Sequence, residues 1–285
     1  MKKYIYSIIL SLIIIGFVSC DMDAPSQSAA ESPVVFSSYA LAEGAVMGIH
    51  QSFGETNSYR GRFLPYYGIN SDIEWINNIS GQIADDGKYA LTGYNASPTN
   101  TQMNTDNNAW AKFYEGIERA NIAIDGLKKY GNVENSPEMA QLLGEALTLR
   151  AILYLDLVKG WGDVPLRLDP ISTESMYLSR TDRDLEEADN LVSWPNGSSI
   201  TVSTERVNKA FVKGLTARIA LYASGYSQRS DGVRRSTDPD LSVEKMYKLV
   251  RDKTLEVINS GYNALGTFEE NFRLLCQDNV QAGKE

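Results

Sequence analysis

One segment limits the possible folds more than any other: Leu142 to Val158, followed at once by Gly160-Trp161-Gly162-Asp163-Val164-Pro165. Apolar residues almost encircle a helix written over this stretch, so it has to be covered on more than one side. Its start is legible as well. Ser136 is a good N-cap, Pro137 suits the first helical position and Glu138 follows. Gly160 and Gly162 stop the helix, and Pro165 prevents it from resuming. A buried helix with so rigid an exit belongs inside a stacked helical array.

The same helix is repeated. Leu147-Thr148-x-Arg150-x-x-Leu153-Tyr154 recurs as Leu215-Thr216-x-Arg218-x-x-Leu221-Tyr222, 68 residues on. Ile117-Glu118-x-Ala120 recurs as Leu185-Glu186-x-Ala188 at the same offset, and Leu255-Glu256 opens a candidate third copy. Two matches at one offset argue for a duplicated helix pair whose copies close each other's apolar faces by stacking. The predicted helices lie near 37–53, 108–130, 137–159, 173–193, 205–224, 242–260 and 267–275. In helix 205–224 the apolar stripe reads Val207, Phe211, Leu215, Ile219 and Tyr222, beside small Ala210, Gly214 and Ala217. Arg150 and Arg218, at matching places in buried helices, each call for a carboxylate partner. Residues 55–107 break the pattern: they are rich in Gly, Asn, Ser and Tyr and lack a helical period. The expected fold is mainly α, built of tetratricopeptide-like helix pairs with this long irregular excursion as the ligand-binding part.

The chain opens with Lys2-Lys3 and an apolar run from Ile5 to Val18, too short for a span of about 20 residues. It reads as a secretory signal over 1–19. Phe17-Val18-Ser19-Cys20 resembles a lipoprotein signal, with Cys20 as the lipidated first residue of the mature chain. Asp21-Met22-Asp23 then resembles an export tag, and 20–36 forms a small, polar tether. Cys276, beside Leu274 and Leu275, is expected to be a buried small hydrophobe.

The chemistry points to binding. The net charge of −9 becomes −11 without Lys2 and Lys3, with 25 basic against 36 acidic groups, which disfavours nucleic acid as a partner. His50 is the only histidine and has no cysteine beside it, so a structural role outweighs catalysis. Asp85-Asp86, Glu186-Glu187 and Glu269-Glu270 are sequence neighbours whose side chains diverge, not an opposed pair of glycosidase carboxylates. Asn104, Asp106, Asn108 and Glu115 faintly resemble a calcium loop, yet Ala109 stands where glycine is needed, and an N-cap cluster explains them more simply. No phosphate loop or zinc spacing is present, and no cofactor or metal is expected. What remains is an aromatic surface flanked by amide and carboxylate groups, suited to sugars. Tyr66 to Asn78 supplies both kinds of group and Tyr94-Asn95 a second wall. The candidate ligand-binding residues are Tyr67, Asp72, Trp75, Asn78 and Tyr94.

These residues also resemble those of a known family. The Cys20 leader, Ser71-Asp72, Trp110-x-x-x-Tyr114-x-x-Ile117-x-x-Ala120-Asn121, Arg150-Ala151-x-x-Tyr154-x-Asp156-Leu157-Val158, Gly162-Asp163-Val164-Pro165, Asp184-Leu185-x-x-Ala188 and Ala217-Arg218 are similar to the SusD/RagB-like outer-membrane lipoproteins. The resemblance implies a helical lid on a TonB-dependent, SusC-like transporter, anchored by lipid at the cell surface. Such a lid binds oligosaccharides, or in some members peptides, and passes them on without chemistry. It also implies that 37–285 is the amino-terminal part of a longer helical-repeat domain. Two competing readings are an envelope scaffold with no small ligand and, more remotely, a hydrolase.

Overall fold

The structure is a computed structural model and describes residues 31–64, 97–170, 182–202, 205–229, 231–277 and 279. Helix α1 (Ser32–Ser37) and helix α2 (Tyr39–Gly54) are separated by an extended Ser38. A π-helical segment, Thr56–Phe63, follows with a kink at Ser58. Then come α3 (Ala109–Tyr130), α4 (Pro137–Trp161), α5 (Asp182–Leu191) and α6 (Lys209–Ser224). A hairpin of β1 (Ser227–Arg229) and β2 (Gly232–Arg234) pairs Gln228 with Val233. A 3-10 turn, Pro239–Leu241, leads into α7 (Val243–Ser260) and α8 (Phe268–Cys276). The molecule is mainly helical, as expected. Among the described residues no helix is long and apolar enough to cross a membrane.

Helix α4 is the axis of the core. Every residue from Met139 to Ala151 is buried, and α4 packs against α2, α3 and α5. Leu142, Leu147, Leu153 and Leu157 are fully enclosed, each contributing about 1.5–3 kcal/mol by leaving water. The predicted ends hold: Ser136 Oγ accepts from Met139 N–H at 3.3 Å, and Gly162 N–H donates to Val158 O at 2.9 Å. Gly162 has φ +78°, and a Cβ there would lie 2.8 Å from the Gln228 carbonyl, so only glycine lets the hairpin close over the helix exit. Ser32–Ser37, inside the stretch read as tether, is helical, and its Phe36 lies buried on Gly126 of α3.

The repeat is visible in detail. Ile117 and Leu185 are both buried, as are Ala120 and Ala188. Thr148 donates to Gly144 O at 2.7 Å and Thr216 to Val212 O at 2.8 Å, the same back-bond in each copy. The α5–α6 connection is fastened to α4 by buried Gln141, which donates to Val207 O and accepts from Ser193 N–H, both at 2.8 Å.

Four further expectations need correction, two of them in the second copy of the repeat, which lies more exposed than the first. Arg218 is exposed, whereas Arg150 is buried and paired. Phe211 and Tyr222 are exposed, and α6 buries Ala210, Val212, Leu215, Ala217 and Ala220, the small residues that admit close helix approach. Cys276 is exposed, since α8 buries none of its residues. The fourth concerns residues 56–63, which are coiled and not irregular. The kink at Ser58 (φ −109°, ψ −114°) breaks the period that sequence patterning needs.

Candidate functional site

All five candidate ligand residues, Tyr67, Asp72, Trp75, Asn78 and Tyr94, lie outside the described residues, as does Cys20. The described residues on either side of 65–96 are fixed to one place, the end of α4. On the entering side, Tyr59 stacks on Phe113 with centroids 4.6 Å apart, and Phe63 lies parallel to Trp161 at 6.1 Å. Phe53 joins Tyr59 at 4.9 Å, and Trp110 meets Trp161 edge-on at 5.4 Å. The Tyr59 hydroxyl donates to Asp156 Oδ2 at 2.8 Å. On the leaving side, Met103 is buried and Asn104 Oδ1 accepts from Trp161 Nε1 at 2.7 Å. Offset and edge-to-face rings of this kind add about 0.5–1.5 kcal/mol per pair beyond their burial.

A second clamp holds the segment that leaves α4. Tyr114 donates to Pro165 O at 2.6 Å. Tyr154 donates to Arg167 O at 2.7 Å and accepts from Arg167 N–H at 2.6 Å. Asn121 Nδ2 donates to Asp169 O at 3.1 Å. Arg150 is the hub: Nε and Nη2 grip Asp184 at 2.8 and 2.7 Å, while Nη1 donates to Asn121 Oδ1 and Leu168 O, both at 2.8 Å. Burial pushes the Tyr154 hydroxyl up to about 12 and the Tyr114 hydroxyl further still, so both stay protonated donors. The most recognisable residues of the sequence therefore build the frame of the fold.

A third network escaped the sequence reading. Glu145, fully enclosed within the apolar run of α4, accepts from Arg206 Nη2 at 2.7 Å and lies 2.7 Å from His50 Nε2. Arg206 also donates to Glu43 Oε1 at 2.8 Å. Burial by itself would raise the Glu145 carboxyl, but the hydrogen bonds from His50 and Arg206 outweigh it and hold the group below its ordinary value. A lone acid inside an otherwise apolar helix was the signal that could have found this network.

The residues weighed as a calcium loop are committed elsewhere. Asn104 Nδ2 donates to Pro98 O at 2.8 Å and Asn108 Oδ1 accepts from Arg62 Nε at 2.7 Å. Glu115 pairs with Lys112 and Arg119. Asn108 does occupy the N-cap position of α3, but its side chain makes no capping hydrogen bond. Among the described residues no group of three His, Cys, Asp or Glu could hold a metal ion.

A SusD-like family described as starch-binding and associating with the outer membrane matches residues 55–221. SusD-like protein P25 of Formosa agariphila is 29% identical over 143 residues, which is 49% of this chain and 27% of that protein. A SusD homolog from Bacteroides thetaiotaomicron superposes with a TM-score of 0.65 at 15% identity, over 87% of this chain and 46% of that one. Surface glycan-binding protein A from Bacteroides fluxus does so with a TM-score of 0.62 at 19% identity, over 87% and 49%. At such identities the structures speak for the fold. The match spans less than half the length of each of these three proteins.

Proposed function

The chain belongs to the SusD-like family, and from that premise we propose that it is a surface lipoprotein that binds oligosaccharides. On this reading Cys20 carries the lipid anchor at the outer membrane, and the captured glycan passes to a TonB-dependent, SusC-like transporter. The protein binds its cargo and does not cleave it.

The observation that carries the reading is the anchoring of the described segments that flank residues 65–96. Tyr59 and Phe63 on one side and Asn104 on the other are tied to the Trp110–Phe113–Trp161 cluster at the end of the most buried helix. A binding surface has to be held by rigid elements if its contacts are to be pre-organised. Between those anchors the sequence carries Tyr67, Asp72, Trp75, Asn78 and Tyr94. Aromatic faces cover the apolar CH side of a sugar ring, and the amide and carboxylate groups take its hydroxyls.

Isothermal titration against a panel of neutral polysaccharides tests the proposal. Heat is expected with at least one glycan, and Trp75→Ala should weaken that binding tenfold or more while the thermal midpoint stays unchanged. No heat with any glycan, or binding indifferent to Trp75, refutes it. New reducing ends after incubation with the bound glycan would show a hydrolase instead.

A further inference from the structure

Between the first and second helix pairs lies a cavity of about 650 Å³, within the range of about 300–1,000 Å³ typical of small-molecule sites. Its walls come from α4 (Tyr154, Leu155, Val158), the exit segment (Val164, Leu166), α6 (Ile219, Ala220, Ala223) and α7 (Met246, Leu249). Val158, Val164, Leu166, Ile219 and Leu249 are half-buried along these walls, leaving apolar surface that a hydrocarbon chain would cover. At one side the hairpin contributes Arg229, whose Nη1 donates to Asp163 Oδ1 at 3.0 Å. Arg229 Nε is buried and has no acceptor among the described residues.

We propose that this cavity is a second binding site, distinct from residues 65–96, and that it takes the apolar chain of a neutral amphiphile with a hydroxylated head. The apolar walls call for a hydrocarbon body. Arg229 Nε calls for an acceptor oxygen where that body meets its head, because a buried donor left unpaired is costly. Asp163 stands beside that donor in a chain of net charge −9, which disfavours a carboxylate or phosphate head. A glycoside carrying an alkyl chain meets all three demands. The site goes beyond the glycan reading and uses none of its residues.

Calorimetric titration with hexyl, octyl and decyl β-glucoside, each kept below its micelle concentration, tests the proposal. Every added methylene should tighten Kd by about fourfold, and glucose alone should give no signal at this site. Ala223→Trp, which fills the cavity from a half-buried position, should abolish the chain-length dependence. Val164→Phe fills it from the opposite wall and serves if the first variant fails to fold. Arg229→Met should weaken all three ligands by one common factor, about three- to tenfold. Affinity independent of chain length overturns the proposal. So does a chain-length dependence that survives both filling variants, since the alkyl chain would then lie on the exposed Phe268, Phe272 and Leu275 of α8. Because Trp75 takes no part in these measurements, their failure leaves the glycan reading standing and a failure there leaves this one.

Discussion

Removing the carboxylate of Asp184 probes the frame at its most concentrated point. Arg150 and Asp184 are 4% and 5% exposed, and they meet through two nearly parallel hydrogen bonds of 2.8 and 2.7 Å. In Asp184→Ala the guanidinium keeps its Nη1 bonds to Asn121 and Leu168 but loses both other acceptors and its counter-charge. Breaking a buried pair from one side costs about 3–5 kcal/mol. Two charge-assisted hydrogen bonds at about 1.5–3 kcal/mol each give about 3–6 kcal/mol, which brackets that cost. In a domain of this size each kcal/mol moves the thermal midpoint by about 2–4 °C, so the midpoint should fall by roughly 6–20 °C. The double variant Arg150→Met, Asp184→Leu should recover most of that loss, since it leaves no charge buried without a partner. Urea unfolding followed by tryptophan fluorescence measures all three proteins, and Trp161 sits next to the segment at stake. A loss below about 1 kcal/mol, the value of an exposed ion pair, refutes the reasoning. A double variant no more stable than the single one does so equally.

Gly162→Ala should cost about 1–3 kcal/mol in the same assay, because φ +78° is strained for a side chain and the Gln228 carbonyl blocks the Cβ; an unchanged midpoint would show that the hairpin yields. Glu145 is held below its ordinary value of 4.5, so the folded state keeps it ionised where the unfolded chain takes up a proton. Its stabilisation is therefore full above pH 4.5 and lost as the pH falls further. Asp189, depressed by Lys213 and Lys253 against the effect of its burial, acts in the same direction. Urea midpoints at pH 7, 5 and 3 should fall more steeply for the parent protein than for Glu145→Gln, and parallel falls would count against the His50–Glu145–Arg206 network. In a Cys20→Ala background the single remaining thiol, Cys276, should react with Ellman's reagent without denaturant, whereas reaction only after unfolding would contradict its exposure.

Much of the frame was readable because local chemistry and burial agreed. Ser136, Pro137 and Gly162 mark the ends of α4 by rules that hold for any helix, and its all-round apolar face could only mean enclosure. The repeat was readable because Thr148 and Thr216, or Ile117 and Leu185, do the same work in each copy. Where the copies differ, the sequence misled. Arg218 and Tyr222 match Arg150 and Tyr154 in type but lie exposed, and exposure depends on which neighbours arrive, information a single helix does not hold. The hairpin had a signal that went unused, Asp231-Gly232 at the turn, with Gly232 at φ +122°. The π-helical segment had none, since Ser58 resets its phase halfway. Of the candidate site, what could be compared is its foundation. Tyr59, Phe63 and Asn104 sat in a stretch without period, and the partners that tie them to α3 and α4, Phe113 and Trp161, lie 50 or more residues away in sequence, a pairing that no local pattern announces.

The grip of Trp161 on Phe63 and Asn104, which flank residues 65–96 on either side, has an engineering consequence. Lengthening a connection whose ends are already held costs only about 0.6 kcal/mol for each doubling. Among the described residues Arg150 draws its partners from Asp184, Asn121 and Leu168, all outside that connection. If residues 65–96 carry the ligand contacts, as proposed above, a new cargo calls for a new insert between Leu64 and Ser97 on an unchanged chassis.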